Sequence, residues 1–144
     1  MTADLIEFLR ARLDEDEAGV RALKVPHDWH TGPGDDPDWT NECMVLMWPP
    51  EFHTPYERDK HWRGETVADP ETATHIARHD PARVLREVEA KRRVLDAYVE
   101  VAEMDTPDPE PEFAYGRAVG LGEVIRLLAL PYNDHPDYRQ EWAP

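Results

Sequence analysis

The sequence predicts an α+β fold that is mainly helical, with about four helices packed with a small β-hairpin and an extended aromatic C-terminal tail. Two patterns predict this class. Apolar residues recur at intervals of three and four in several long segments, as in amphipathic helices. Between the first two of these segments lie short runs that are apolar or that alternate apolar with polar residues, a pattern typical of strands. The length of 144 residues predicts one domain, residues 1–144, because two separate cores would each be marginal.

The first helix is predicted over residues 4–23. Leu5, Leu9 and Leu13 repeat every four residues, and charged side chains fill the other faces. Pro26 ends the pattern, since proline cannot continue a helix.

Residues 26–69 are predicted to form a loop and a β element. The apolar run at 44–48 predicts one strand, and the alternating RGETVAD at 63–69 predicts a second. Their pairing would make a β-hairpin with a long connection.

Two Asp-Pro steps predict the starts of the next two helices. Asp69 and Asp80 each precede a proline, which combines an N-cap carboxylate with a residue suited to the first helical turn. We therefore expect helices at 70–78 and 81–104, with Asp80 as the structural cap of the longer one.

The last helix is predicted over residues 112–130, followed by the tail at 131–144. Proline-rich sequence cannot continue the helix but can lie extended over a surface. We expect the rings of Tyr132, Tyr138 and Trp142 to pack back across the leucine-rich faces of the long and last helices. The alternative is that Tyr138 and Trp142 anchor a partner, because Tyr and Trp dominate binding hot spots.

Composition excludes several classes of function. The chain has 31 acidic and 16 basic residues, a formal charge of -15 that disfavours direct nucleic-acid binding and favours a basic partner. No apolar run reaches the roughly 20 residues a bilayer needs, so we expect no membrane contact and a cytoplasmic location. The absence of serine excludes a Ser-His-Asp hydrolase, and the single cysteine excludes an internal disulfide.

Basic residues concentrate in the stretch HIARHDPARVLREVEAKRR at 75–93. Its positive and negative side chains alternate along the outer faces of one helix. Arg86, Arg92 and Arg93 are either internal partners of the acidic segments, which we favour, or a docking face for something anionic on another protein.

Two histidines in the same stretch raise the question of a metal. His75 and His79 are four residues apart and would share a helix face, and a metal there would need a third ligand from Asp80, His27, His30 or His61. Ile76 stands where the HExxH motif needs its glutamate. We therefore favour a helix-terminal role for these histidines, next to the negative end of the helix dipole, and expect no metal or cofactor.

Two blocks of the sequence carry a family resemblance. HIARHDPARVLREVEAKRR at 75–93 and IRLLALPYNDHPDYRQEW at 125–142 resemble a family of small, acidic, uncharacterised proteins common in Streptomyces and other actinobacteria and in their mobile elements. The resemblance implies a bacterial origin and no particular activity.

Three functional hypotheses follow from these observations. The first is a non-catalytic protein-interaction or accessory protein, with another protein as its partner and homo-oligomerisation as an open alternative. The second is a His/Asp metal-binding protein that could also be hydrolytic. The third is an acidic mimic of nucleic acid.

Overall fold

The computed structural model describes residues 2–25, 27, 29–32, 44–46, 64–66, 69–105 and 113–144. In these residues the chain forms four α-helices: α1 (Thr2–Arg21), α2 (Pro70–Arg78), α3 (Pro81–Val99) and α4 (Phe113–Ala129). Backbone contacts divide the chain into two compact units, one made of residues 1–18 and 87–144 and the other of residues 19–86.

The core of the first unit is formed by apolar side chains from α1, α3, α4 and the C-terminal segment. Its buried members are Leu5, Phe8, Leu9, Leu95, Tyr98, Ile125, Ala129 and Trp142. Those in α1 recur at three and four residues, so they lie on one stripe of the helix. The position of Trp142 in this cluster makes the C-terminal segment a part of the core.

Tyr98 brings a hydroxyl into this core. The hydroxyl donates a hydrogen bond to Asp105 Oδ2 at 2.6 Å. Burial of the ring, together with this bond to a carboxylate, raises the pKa of Tyr98 to about 12.

The second unit contains a small antiparallel sheet. Its strands are β1 (His30–Gly32), β2 (Met44–Leu46) and β3 (Gly64–Thr66), in the order β1-β2-β3. Helix α2 packs against β1 and β2. Val45 in β2 and Ala73 in α2 are both fully buried, so the sheet and the helix contribute to the core of this unit.

The predicted α+β class, with a single β-hairpin as its β element, is wrong, although its two predicted strands do pair: β2 and β3 are antiparallel, with Val45 opposite Glu65. The described chain is mainly helical, and its β structure amounts to three strands of three residues each, with β2 between two neighbours. The sequence pattern does not predict β1, because its three residues, histidine, threonine and glycine, show no alternation of apolar and polar side chains. Residues 47–48, 63 and 67–68 of the two predicted strands lie outside the described residues.

The predicted extended tail is also wrong. Two 3-10 turns, Leu130–Tyr132 and Gln140–Trp142, fold the C-terminal segment into successive bends. Pro131 fits the first turn because the early residues of a helix need no amide donor. Between the turns, the Tyr138 amide donates to the His135 carbonyl at 2.9 Å.

The long helix is shorter than its predicted span of 81–104. Helix α3 ends at Val99, and a 3-10 turn follows at Ala102–Met104. The Val101 amide donates to the Tyr98 carbonyl at 2.9 Å, an i to i+3 bond that tightens the end of the helix.

Candidate functional site

A cleft of about 420 Å³ lies between α1 and the C-terminal segment of the first unit. The first wall comes from α1. Its lining residues lie at positions 4, 7, 8, 11 and 12, a repeat of three and four that places them on one face of the helix. The second wall comes from the 136–142 region. The lining residues are Asp4, Glu7, Phe8, Ala11, Arg12, Pro136, Asp137, Tyr138, Arg139 and Trp142.

Aromatic rings form the floor of this cleft. The Phe8 ring centroid lies 5.0 Å from that of Trp142 and 6.0 Å from that of Tyr138. Tyr138 and Trp142 meet edge to face at 5.8 Å. These separations fall in the favourable range for aromatic pairs, so the floor is a packed cluster with defined ring orientations.

Arg12 brings a positive charge to this floor. Its guanidinium lies over the Phe8 ring at 5.2 Å, and its side chain is only 8% exposed. Nη2 donates to Glu15 at 2.7 Å, and Nη1 donates to the His135 ring, 2.7 Å from Nδ1. The helix and the tail are thus joined through one buried cation.

Three buried polar atoms of the floor have no hydrogen-bond partner among the described residues. They are Arg12 Nε, the Tyr138 hydroxyl and Trp142 Nε1. All three belong to residues that line the cleft. An unpaired buried donor costs about 1–3 kcal/mol. A hydrogen-bond acceptor that reached any of these atoms would therefore be favoured.

Charged side chains surround the opening of the cleft. Asp4, Glu7 and Asp137 supply three carboxylates, and Arg139 donates to Asp4 at 2.7 Å. The Arg139 guanidinium also lies over the Trp142 ring at 5.5 Å. Glu7 is exposed, and no ion pair joins it to another described residue. The rim therefore carries more negative than positive charge.

A second contact holds the tail against α1. The Tyr132 hydroxyl donates to Asp16 Oδ2 at 2.6 Å. Burial of this ring, together with the bond to Asp16, raises the pKa of Tyr132 well above its ordinary value. The wall formed by the C-terminal segment is thus anchored at several points along α1.

The predicted basic face makes several internal contacts. Arg92 pairs with Glu17 at 2.5 Å and with Asp14 at 2.6 Å, and these bonds raise its pKa. Arg93 pairs with Glu89 at 2.9 Å, whereas Arg86 is exposed. Arg92 is therefore a link between α3 and α1.

The histidine corner lies in the second unit. The rings of His75 and His79 are 4.3 Å apart, and His79 Nδ1 donates to the His75 carbonyl at 2.8 Å. Asp80 Oδ1 accepts from the Arg83 amide at 2.6 Å, and Oδ2 accepts from the Trp29 amide at 3.3 Å. In the described part of the chain, no group of three or more His, Cys, Asp or Glu residues is placed to hold a metal.

The sequence patterns identified only part of this cleft. Tyr138 and Trp142 were predicted as partner-binding residues, and both line it. Phe8 and Arg12 were missed because the helical period explains them as ordinary members of α1. Their spacing of four, at the edge of the apolar stripe, is the one signal that could have singled them out.

Fold and site together define a small, acidic, mainly helical protein with a cleft between its first helix and its C-terminal segment. No described helix has the length and apolar character needed to cross a bilayer. The chain belongs to the family of unknown function DUF6221, which it matches over residues 2–144. Searches of curated proteins and of solved structures found no match.

Proposed function

We propose that this protein is a non-catalytic interaction protein that binds a basic segment of a partner protein in the cleft between α1 and the C-terminal segment. The observation that carries the proposal is that Arg12, Tyr138 and Trp142, which line one cleft, each have a buried polar atom without a partner in the described part of the chain. A peptide segment supplies acceptors for such groups through its main-chain carbonyls.

The aromatic floor suits this role. Tyr138 is partly exposed and packs on the buried rings of Phe8 and Trp142, so the ring surface it offers is already held in place and binding need not order it. Trp, Tyr and Arg are also the residues enriched in binding hot spots. The cleft combines all three types in one preformed surface.

The rim charges favour a basic segment. The carboxylates of Asp4, Glu7 and Asp137 surround the floor, and the chain as a whole carries a formal charge of -15. Such a field attracts cations at long range and raises their association rate. We further propose a cytoplasmic role and, from the sequence blocks at 75–93 and 125–142, an actinobacterial host and an association with a mobile element.

Binding of a short peptide of alternating Arg and Gly, with a free C-terminus, tests the proposal. The Trp142 indole N–H resonance, assigned by comparison with Trp142→Phe, should shift during titration, because Trp142 lines the cleft. The corresponding peptide of alternating Glu and Gly should leave it unchanged.

Matched variants separate the cleft from the general negative charge. Glu7→Gln and Asp137→Asn each remove one rim charge and should weaken binding several-fold. Glu103→Gln removes one charge from an exposed residue that does not line the cleft and should have a much smaller effect. Equal losses in all three variants, or no shift of the indole resonance, would contradict the proposal.

A further inference from the structure

We propose that the exposed face of α4 is the contact surface of a homodimer, in which two copies of the chain pack their α4 helices antiparallel across a two-fold axis at Gly120. None of the described residues that line the cleft belongs to α4, so this surface is distinct from the cleft. In a two-fold contact the same patch of both copies meets itself. The face must therefore be complementary to its own rotated copy.

Large apolar side chains are exposed along one side of α4. Phe113 is 89% exposed and Leu127 is 52% exposed, and Val124 is exposed between them. Positions 113, 117, 120, 124 and 127 follow one another at intervals of four and three, which places them on one narrow stripe of the helix. The buried residues Ala118 and Ile125 lie on the opposite side. Apolar residues grouped on one exposed face, rather than scattered singly, mark an interaction surface.

The exposed face of α4 is complementary to itself about Gly120. In an antiparallel pair centred on this residue, a position that precedes it by a given number of residues faces the position that follows it by the same number on the second copy. Phe113 and Leu127 are equally distant from Gly120, so each would lie opposite the other. Gly116 and Val124 are also equally distant, so a gap would face a branched side chain.

The two charged residues of this face obey the same symmetry. Arg117 and Glu123 lie equally far from Gly120 on its two sides, so each would meet the other across the axis, twice per dimer. Arg117 has a loose partner in its own chain, Glu100 at 3.5 Å, and both of these side chains are well exposed. No ion pair joins Glu123 to another described residue. This charge complementarity identifies a second copy of the chain as the occupant of the face.

The two glycines of this face are not explained by packing within one copy. Gly116 and Gly120 are exposed, and a Cβ at either position would meet no other described atom within 4 Å. At Gly122, by contrast, a Cβ would clash with the Asp105 carboxylate, so the fold itself requires glycine there. Glycine inside a helix is less favourable than alanine, but it lets a second backbone approach closely.

The composition of α4 allows two acidic chains to meet at this helix. The chain carries a formal charge of -15, so two copies repel each other at long range. Helix α4 contains two arginines and one glutamate, so it adds nothing to the acidic excess. Salt screens the general repulsion, and burial of the apolar stripe involves no charge, so salt should strengthen dimerisation. Salt should weaken the binding of a basic peptide in the cleft, which separates the two surfaces.

Sedimentation equilibrium of the full-length protein, from low micromolar to near-millimolar concentration, tests the proposal. The weight-average mass should rise from that of one chain towards that of two, and it should rise further in about 0.5 M than in about 0.05 M NaCl. The mass of one chain at every concentration, a rise beyond two chains, or a rise that salt does not increase would overturn the proposal.

Charge exchange tests the antiparallel register. Arg117→Glu and Glu123→Arg each place like charges opposite each other, so each should weaken dimerisation about threefold or more. The double variant Arg117→Glu/Glu123→Arg exchanges the partners and should restore most of the affinity. If net charge alone governed association, Glu123→Arg would strengthen it, because the chain becomes less acidic. That result, or a double variant as weak as the single ones, would contradict the pairing about Gly120.

Glutamine in place of Gly120 tests the close approach of the helices. Its side chain would fill the space between them, so Gly120→Gln should weaken dimerisation about tenfold or more. Gly19→Gln on α1 is the matched control, since Gly19 is also exposed with open space around it, and it should leave dimerisation unchanged. At low micromolar concentration both variants should melt no earlier than the wild type, because glutamine is the better helix former. Equal dimerisation of the two variants would overturn the proposal, whereas the proposed function of the cleft would be unaffected.

Discussion

Replacement of Trp142 by alanine should destabilise the protein by about 3 kcal/mol. The side chain is 3% exposed and packs on Phe8 and Tyr138 within the main core cluster. Truncation of a buried tryptophan usually costs about 3–5 kcal/mol. The lower end applies because the substitution also removes the unpaired Nε1 donor, whose burial already costs free energy in the native protein.

Urea unfolding followed by far-ultraviolet circular dichroism measures this loss. With a slope of about 1–3 kcal/mol per molar urea, the midpoint should fall by about 1 M or more. Leu127→Ala is the matched control, because Leu127 is 52% exposed on α4 and should cost at most about 1 kcal/mol. If Trp142→Ala costs no more than Leu127→Ala, the C-terminal segment is not part of the core and the cleft loses one wall.

Four further predictions concern other parts of the chain. Asp80→Ala should cost about 1–2 kcal/mol in urea unfolding, since its carboxylate accepts two backbone amides, and an unchanged midpoint would contradict this. The pKa of the Tyr98 hydroxyl is near 10 in the unfolded chain and about 12 in the folded protein. The contribution of this hydroxyl to the free energy of unfolding is therefore complete below pH 10 and lost toward pH 12. Stability should therefore fall more steeply across that window than in Tyr98→Phe, and parallel curves would refute the assignment. Arg92→Glu should destabilise the protein clearly more than Arg93→Glu, because it places a third carboxylate beside Asp14 and Glu17, and equal thermal shifts would argue against the pairing. Protein purified without a His tag should carry less than about one tenth of an equivalent of zinc by elemental analysis, and stoichiometric zinc that disappears in His75→Ala would support the metal hypothesis instead.

Local interactions made the helices predictable from the sequence. Asp69 accepts the Thr72 amide at 2.7 Å and Asp80 accepts the Arg83 amide at 2.6 Å, so each cap is complete within three residues of its aspartate. The structure begins α2 and α3 at the prolines that follow these two residues. Where the controlling contacts lie within one helical turn, the sequence contains the information needed to place the element.

The C-terminal segment was not predictable in the same way. Its prolines rule out a continued helix, but they do not distinguish an extended chain from a series of 3-10 turns. Contacts with α1 decide the path, and the hydrogen bond between Arg12 and His135 joins residues 123 positions apart. The cleft arises from this distant contact, so neither of its walls can be recognised as part of a site from its own segment.

Distant contacts also decide which charged side chains remain available to a partner. Arg92 and Arg93 are neighbours in the sequence, yet Arg92 pairs with Asp14 and Glu17 on α1 while Arg93 pairs within its own helix. An arginine-rich helix face by itself predicts an anionic partner. These two arginines are paired internally, while Glu7 at the cleft makes no ion pair with another described residue, and this difference is why we propose a partner segment of basic character.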